Sequence, residues 1–217
     1  MSVSGGSKPD CEGCNALKSA DEKEKLYLSL QIVTENTIED IVNRSVNHKN
    51  MNNHNDLNIN NKYKVLFVCL GNICRSPAAH GLMEHFVEQQ GLQHFIEVDS
   101  AGTYGGHAGD LPDPRMRRAA AGRGYQLTHR ARRFREEDYY NFDKIIVMDD
   151  MNYEDVSRLA PERKYLDKLH RFVEFCTQHP DRSYVPDPYY EGREGFELVL
   201  DMLEDGCQGI IRALNDE

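Results

Sequence analysis

One stretch of the 217-residue chain carries side chains suited to group transfer: Cys69-Leu70-Gly71-Asn72-Ile73-Cys74-Arg75-Ser76, followed by Pro77. Gly71 and Asn72 tolerate left-handed backbone, so consecutive amides can turn inward as an anion nest. Arg75 can hold two phosphate oxygens in a planar fork. A helix opening near Ser76 adds the positive end of its dipole. Cys69 lies at the base of such a loop, where the same groups would stabilise a thiolate. A thiolate under a phosphate cradle is a nucleophile for phosphoryl transfer. A lone buried cysteine is ordinarily just a small core residue. The spacing of Cys, five residues, Arg, then Ser-Pro, between a strand and a helix, favours catalysis instead.

A second stretch, Val185-Pro186-Asp187-Pro188-Tyr189-Tyr190, sets one carboxylate between two prolines. The prolines stiffen the loop and fix how Asp187 is presented. Alone, Asp187 reads as a turn aspartate. Beside the Cys69 loop it becomes a candidate general acid.

The elements that must position these residues begin at Lys62. Lys64–Leu70 is a short apolar run fit for a central parallel strand. Pro77–Gln90 follows as a helix, with Ser76 at its N-cap and Gly91 after its end. Phe95–Asp99 and Lys144–Met148 read as strands. Pro112–Arg123 and a segment from about Asn152 read as helices. A weaker strand or irregular run precedes Asp187. Gly192–Asn215 closes the chain as a helix with Phe196, Val199, Leu200, Leu203, Ile210, Ile211 and Leu214 on one stripe. This alternation predicts an α/β fold, a doubly wound parallel sheet flanked by helices. Ligands in such folds bind at strand carboxyl ends, where the Cys69 loop falls.

Residues 1–61 read differently, as a mostly disordered or short-helical arm before a catalytic domain at 62–217. Asn47–Asn61 holds eight asparagines in fifteen residues and cannot bury enough apolar area to offset its ordering entropy. Within residues 20–46, Leu26, Leu30 and Val33, then Ile38, Ile41 and Val42, recur at helical spacing. Two short helices cannot make a core; docking on a partner, docking on the main domain and fraying all stay open. Cys11 and Cys14 supply two ligands where a structural zinc takes four, so an incidental pair is the plainer reading and no metal is expected.

Charge excludes some partners. The chain has 36 Asp+Glu against 26 Lys+Arg, a formal net charge of −10, without the basic footprint of general nucleic-acid binding. No run of 18 apolar residues exists to span a membrane, and the opening MSVSGGSKPD lacks the order of a secretory signal. The cytoplasm is the expected compartment, and its reducing conditions leave the six cysteines as free, catalytic or metal-bound thiols.

Val68–Pro77, VCLGNICRSP, resembles the phosphate-binding loop of the low-molecular-weight protein-tyrosine phosphatases. Asp187-Pro188-Tyr189-Tyr190 looks like that family's acid loop, in the right order and at the right distance. The resemblance runs from about Lys62 to the C-terminus and leaves the N-terminal arm unmatched. It implies a four-stranded, Rossmann-like sheet, phosphotyrosine proteins as substrates and no cofactor. It also assigns roles. Cys69 attacks phosphorus and forms a phosphocysteine, Asp187 is general acid and then base, and Arg75 with the amides of Leu70 to Ser76 stabilises the transferring group. Asn72 latches the loop through Ser100 and His129. Cys74 captures an oxidised Cys69 as a reversible disulfide. Ile73, Tyr189 and Tyr190 wall a slot for a phenyl ring. The family often places Trp or Tyr where this chain has Gly106, so Tyr104 stands in for it or the slot is more open.

The similar protein-arginine phosphatases carry threonine at the position of Ile73 and lack the paired tyrosines. An arsenate reductase on the same fold needs further cysteines closely spaced on a flexible segment, and Cys176 and Cys207 do not meet that. A phosphotyrosine-binding pseudophosphatase usually lacks the Cys, Arg or Asp, and all three are present. Arg115, Arg117, Arg118, Arg123, Arg130, Arg132, Arg133 and Arg135 cluster in sequence, either as a solvated face or as a guide for acidic phosphopeptides.

Overall fold

The computed structural model describes residues 62–216. The expectations for residues 1–61, including docking through 20–46 and the Cys11–Cys14 pair, lie outside the described residues. Four strands form one sheet in the order β2-β1-β3-β4: β1 Tyr63–Cys69, β2 Ile96–Gly102, β3 Lys144–Val147 and β4 Leu169–Arg171. All neighbours are parallel, with Phe67 opposite Ser100 in β2 and Ile146 in β3. The helices are α1 Arg75–Gln89, α2 Pro114–Gly122, α3 Asp138–Asn141, α4 Asp150–Ser157 and α5 Arg193–Asp216. Among them, no helix is long and apolar enough to cross a membrane.

The sheet is covered on both faces, which is why β1 and β3 read as unbroken apolar runs. Leu66 and Val68 of β1 and Ile145 and Val147 of β3 point to one face, where Tyr139, Phe142, Val156 and Leu169 complete a core. Alternate residues point to the other face, where the Phe67 ring lies 6.0 Å from that of Phe172. The seven apolar residues expected on the α5 stripe are all buried, together with Met202 and Cys207. α5 approaches the turn Phe172–Phe175 so closely that a Cβ at Gly209 would collide with the Phe175 carbonyl.

Several boundaries move for physical reasons. α1 begins at Arg75 with Cys74 as N-cap, so Ser76 lies inside the helix and is not its cap. The Ser76 hydroxyl is used by the site instead. β2 runs on to Gly102, because pairing with β1 continues to Cys69. α2 starts later than expected: the Asp113 side chain accepts the Arg115 N–H at 2.8 Å and Pro114 opens the helix. α4 starts earlier, capped by Asp149, whose Oδ1 accepts the Asn152 N–H at 2.7 Å. The fourth strand is only Leu169–Arg171, and the path from there to Asp187 holds a short 3-10 turn but no strand.

Order 2-1-3-4 means that the chain leaves β1 in one direction and β3 in the other. Their carboxyl ends therefore open a crevice, and Cys69 and Asp149 lie on its two sides. The irregular approach to Asp187 is pinned to α5 by Asp205. Its carboxylate accepts the backbone N–H groups of Thr177 and Gln178, each at 2.7 Å, and the Thr177 hydroxyl at 2.8 Å. Burial alone would raise the Asp205 pKa, but these hydrogen bonds prevail and lower it. A carboxylate held below its unfolded pKa of about 3.9 stabilises the fold above that pH and loses its contribution as acid protonates it. Asp205→Ala is expected to cost about 2–4 kcal/mol at neutral pH in a denaturant titration, and the loss should shrink below about pH 4. A penalty independent of pH would show that the charge is not what holds the segment.

Candidate active site

The Cys69 loop is built around Asn72. Asn72 has φ 54°, the only positive φ of a non-glycine residue among the described ones. Left-handed backbone at a residue with a Cβ costs about 1–2 kcal/mol. The side chain offsets this by bonding in four directions. Its Nδ2 donates to Ser76 Oγ at 2.9 Å and to Ser100 Oγ at 3.0 Å. Its Oδ1 accepts the Arg132 N–H at 2.9 Å and faces His129 Nε2 at 3.3 Å. The expected supports Ser100 and His129 are therefore both brought to it. The turn it imposes points its own N–H at Cys69 Sγ, 3.3 Å away.

Cys69 is buried at the end of β1, with Ser76 Oγ 3.0 Å from its sulfur. The same hydroxyl lies 3.2 Å from the Ala101 carbonyl. A hydroxyl has one proton to give. Beside a thiol it can donate to Ala101; beside a thiolate it can turn to sulfur. Gly102 makes the loop possible from the β2 side, because a Cβ there would lie 2.7 Å from Leu70 O and 3.0 Å from Asn72 N.

Arg75 is buried, and its guanidinium crosses the crevice. Nη1 donates to Asp149 Oδ2 at 2.6 Å and to the Val185 carbonyl at 3.1 Å, and Nη2 donates to Asp187 Oδ2 at 3.0 Å. Burial works against its charge, but the charges of Cys69, Asp187 and Asp149 outweigh it and raise its pKa. Cys69, Arg75 and Asp187 thus converge from a strand end, a helix start and a loop some 110 residues further on. Asp187 is part-exposed, and its Oδ1 accepts the Tyr189 N–H at 3.2 Å. Val185 ties this loop to the sheet through its N–H on the Met148 carbonyl.

Around the mouth, Tyr104 follows β2 and gives its N–H to the Leu70 carbonyl. Its ring lies against Gly106, where a Cβ would overlap it. The missing side chain at 106 therefore makes room for this tyrosine. Ile73 is half-buried, and its carbonyl accepts the Asp113 N–H at 2.7 Å. Tyr189 and Tyr190 meet edge to face at 5.0 Å, with Tyr190 94% exposed. Arg115 braces the turn: its guanidinium stacks on Tyr189 and Phe196 and donates to the Tyr189 carbonyl at 2.9 Å.

Cys74 is buried at the α1 cap, and burial first, then the negative charges of Asp113, Cys69 and Asp187, push its thiol far above the usual range. Of the clustered arginines, Arg123 pairs with Glu197, Asp201 and Glu204, and Arg132 pairs with Asp99 and Asp138. Those two serve the fold. Sequence reasoning missed Asp149, Gly102, His80 and the Arg132 backbone as contributors. Asp149 had a signal: an Asp pair directly after a strand is a helix N-cap at a sheet's ligand-binding edge. Asn72→Gly and Asn72→Ala both delete the four side-chain bonds, but only alanine also resists the left-handed backbone. Turnover of an aryl phosphate should fall at least about tenfold in both. The alanine variant should be less stable than the glycine variant by about 1 kcal/mol in denaturant titration. Equal stability would mean that the loop backbone is not strained.

Residues 64–217 match the family model described as low molecular weight phosphotyrosine protein phosphatase. A low molecular weight protein-tyrosine-phosphatase of Streptomyces coelicolor is 40% identical over 157 residues, covering 71% of this chain and 95% of that protein. The crystal structure of a protein tyrosine phosphatase from Entamoeba histolytica with Hepes in the active site superposes with a TM-score of 0.69 at 42% identity, covering 71% of this chain and 98% of that one. A Drosophila arginine phosphatase superposes with a TM-score of 0.64 at 29% identity, covering 69% of this chain and 96% of that one. By sequence and by fold, the chain belongs to the low molecular weight phosphotyrosine protein phosphatases.

Proposed function

We propose that the domain at 62–217 hydrolyses phosphotyrosine in proteins through a phosphocysteine on Cys69. The observation that carries this reading is the Arg75 guanidinium, buried between the nucleophile's loop and the carboxylate of Asp187. A phosphate dianion entering the cradle takes over the Arg75 Nη2 that donates to Asp187 Oδ2. Asp187 is then released next to the ester oxygen.

In the first step the Cys69 thiolate attacks phosphorus in line. The S–P bond forms as the P–O bond to the tyrosine ring breaks, and Asp187 delivers its proton to the departing oxygen. Arg75 and the loop amides take up the charge on the equatorial oxygens. In the second step water attacks phosphorus, Asp187 accepts its proton and the S–P bond breaks. Ser76 turns its proton to the sulfur and eases departure of the thiolate. Asn72, Ser100 and His129 hold the loop shape through both steps. Cys74, protonated by its surroundings, is held in reserve to capture an oxidised Cys69.

Phosphotyrosine leads over phosphoarginine on Ile73 and the aromatic residues Tyr104, Tyr189 and Tyr190, although the likeness to an arginine phosphatase keeps the second substrate as a direct comparison. Arsenate reduction is disfavoured by the other thiols. Cys207 and Cys176 donate to the carbonyls of Ala79 and Met202, and burial pushes Cys176 up to about 12. Neither is poised to relay a disulfide.

The full chain should hydrolyse p-nitrophenyl phosphate at mildly acidic pH. Cys69→Ser should abolish turnover, and Asp187→Asn should lower kcat by roughly 10²–10⁴-fold. Activity surviving Cys69→Ser would overturn the mechanism. A phosphoarginine peptide cleaved faster than a phosphotyrosine peptide would transfer the assignment to that substrate. Deleting residues 1–61 is expected to leave p-nitrophenyl phosphate turnover nearly unchanged, in keeping with a separate arm; a large loss would show that the arm completes the site.

A further inference from the structure

Beside the loop support, His80 of α1 and His129 face each other with ring centroids 4.8 Å apart. Asp99 of β2 closes the group. One nitrogen of each ring and one carboxylate oxygen lie within 4.8 Å of one another. Two imidazoles and a carboxylate are a donor set for a divalent transition metal such as zinc.

The surrounding hydrogen bonds turn lone pairs into this space. Because Asn72 Oδ1 accepts the Arg132 N–H, it is an oxygen, so His129 donates to it from Nε2. Its Nδ1 faces Asp99 Oδ1 at 3.5 Å, and an ion bound between them would take the place of the proton at that nitrogen. On His80, Nε2 faces Glu84 Oε1 at 3.3 Å, which assigns the proton there and leaves Nδ1 toward Ser100 Oγ at 3.4 Å. Ligating histidines are commonly oriented this way, with the distal nitrogen donating to a carboxylate or carbonyl. Arg132 occupies Oδ2 of Asp99 at 2.8 Å, while Oδ1 accepts only the Ser100 N–H at 2.7 Å besides facing His129. The His129 and Asp99 side chains are 15% and 28% exposed, so an ion can reach them.

The geometry points to a divalent transition-metal site formed by His80, His129 and Asp99, completed by water, through which a bound ion acts on the phosphate loop. This departs from the expectation of no metal. Donors around tetrahedral zinc sit about 3.4 Å apart, from bonds of about 2.0–2.1 Å. Binding therefore draws the three side chains inward and pulls His129 away from Asn72. The bound state has a loosened loop.

The test titrates Zn²⁺ into the full chain by calorimetry. The background carries Cys11→Ser, Cys14→Ser and Cys69→Ser, so that no thiolate competes. One zinc per chain should bind, and adding His80→Gln should weaken it at least about tenfold, since one of three protein ligands is lost. Histidine ¹⁵N spectra of the unsubstituted-histidine background should show His80 and His129 shifting together with zinc. No binding, or equal affinity with His80→Gln, would overturn the site. If His80→Gln fails to fold, the spectra decide alone: unshifted His80 and His129 signals at saturating zinc refute it.

Discussion

A left-handed asparagine is the constraint on which the site depends. Asn72 would spend about 1–2 kcal/mol on its backbone if left alone. Four side-chain bonds, each worth about 1 kcal/mol net, more than offset that. They reach Ser76 of α1, Ser100 of β2, and the backbone and ring of the segment carrying Arg132 and His129. Three distant parts of the chain must be in place before the loop can hold its shape. The curvature that faces an N–H toward Cys69 is therefore a property of the whole fold. Gly102 is the complementary condition, since the loop could not pass a larger residue in β2.

The electrostatics are equally local. Residues 1–61 carry nine acids and six bases, so the remainder holds 27 acids against 20 bases and is itself acidic, at −7. An acidic domain that handles a dianion is consistent only if attraction is confined to a few ångströms. The site has that form: a strand end, a helix start and one buried arginine converge where the Asn72 N–H faces the Cys69 sulfur. Burial there disfavours the arginine's charge, but Cys69, Asp187 and Asp149 outweigh it and raise its pKa.

Much of this was legible in the sequence. The apolar runs mark the central strands, seven apolar positions of α5 are legible, and residue type and spacing single out the Cys69 loop and Asp187, which the structure brings together through Arg75. Caps were harder. Serine favours the N-cap, so Ser76 reads as one, but its hydroxyl lies against the sulfur of Cys69, and Cys74 sits at the cap. The three-residue β4 was too short to show a period. The local signal at Asp149 gives its cap but not its contact with Arg75, 74 positions away, and no local pattern brings His80 of α1 beside Ser100 and Asp99 of β2. The sequence offers Tyr104 as the stand-in for the side chain absent at Gly106, and the structure places the tyrosine ring in the space the glycine leaves.

The contact between Arg75 and Asp187 also bears on turnover. A buried guanidinium stripped of its anion would be costly, and a site that bound phosphate that tightly would be slow to empty. Here the carboxylate of the acid loop stands ready as a replacement anion. Once Asp187 has passed the proton taken from water on to solvent, departure of the product becomes an exchange of one negative group for another. On the proposed chemistry, the residue that starts the reaction by giving up a proton would also clear the site after it. That tethered competitor would weaken the hold on inorganic phosphate by taking back the guanidinium that both anions use. The open side of Asp187 gives it the freedom to alternate.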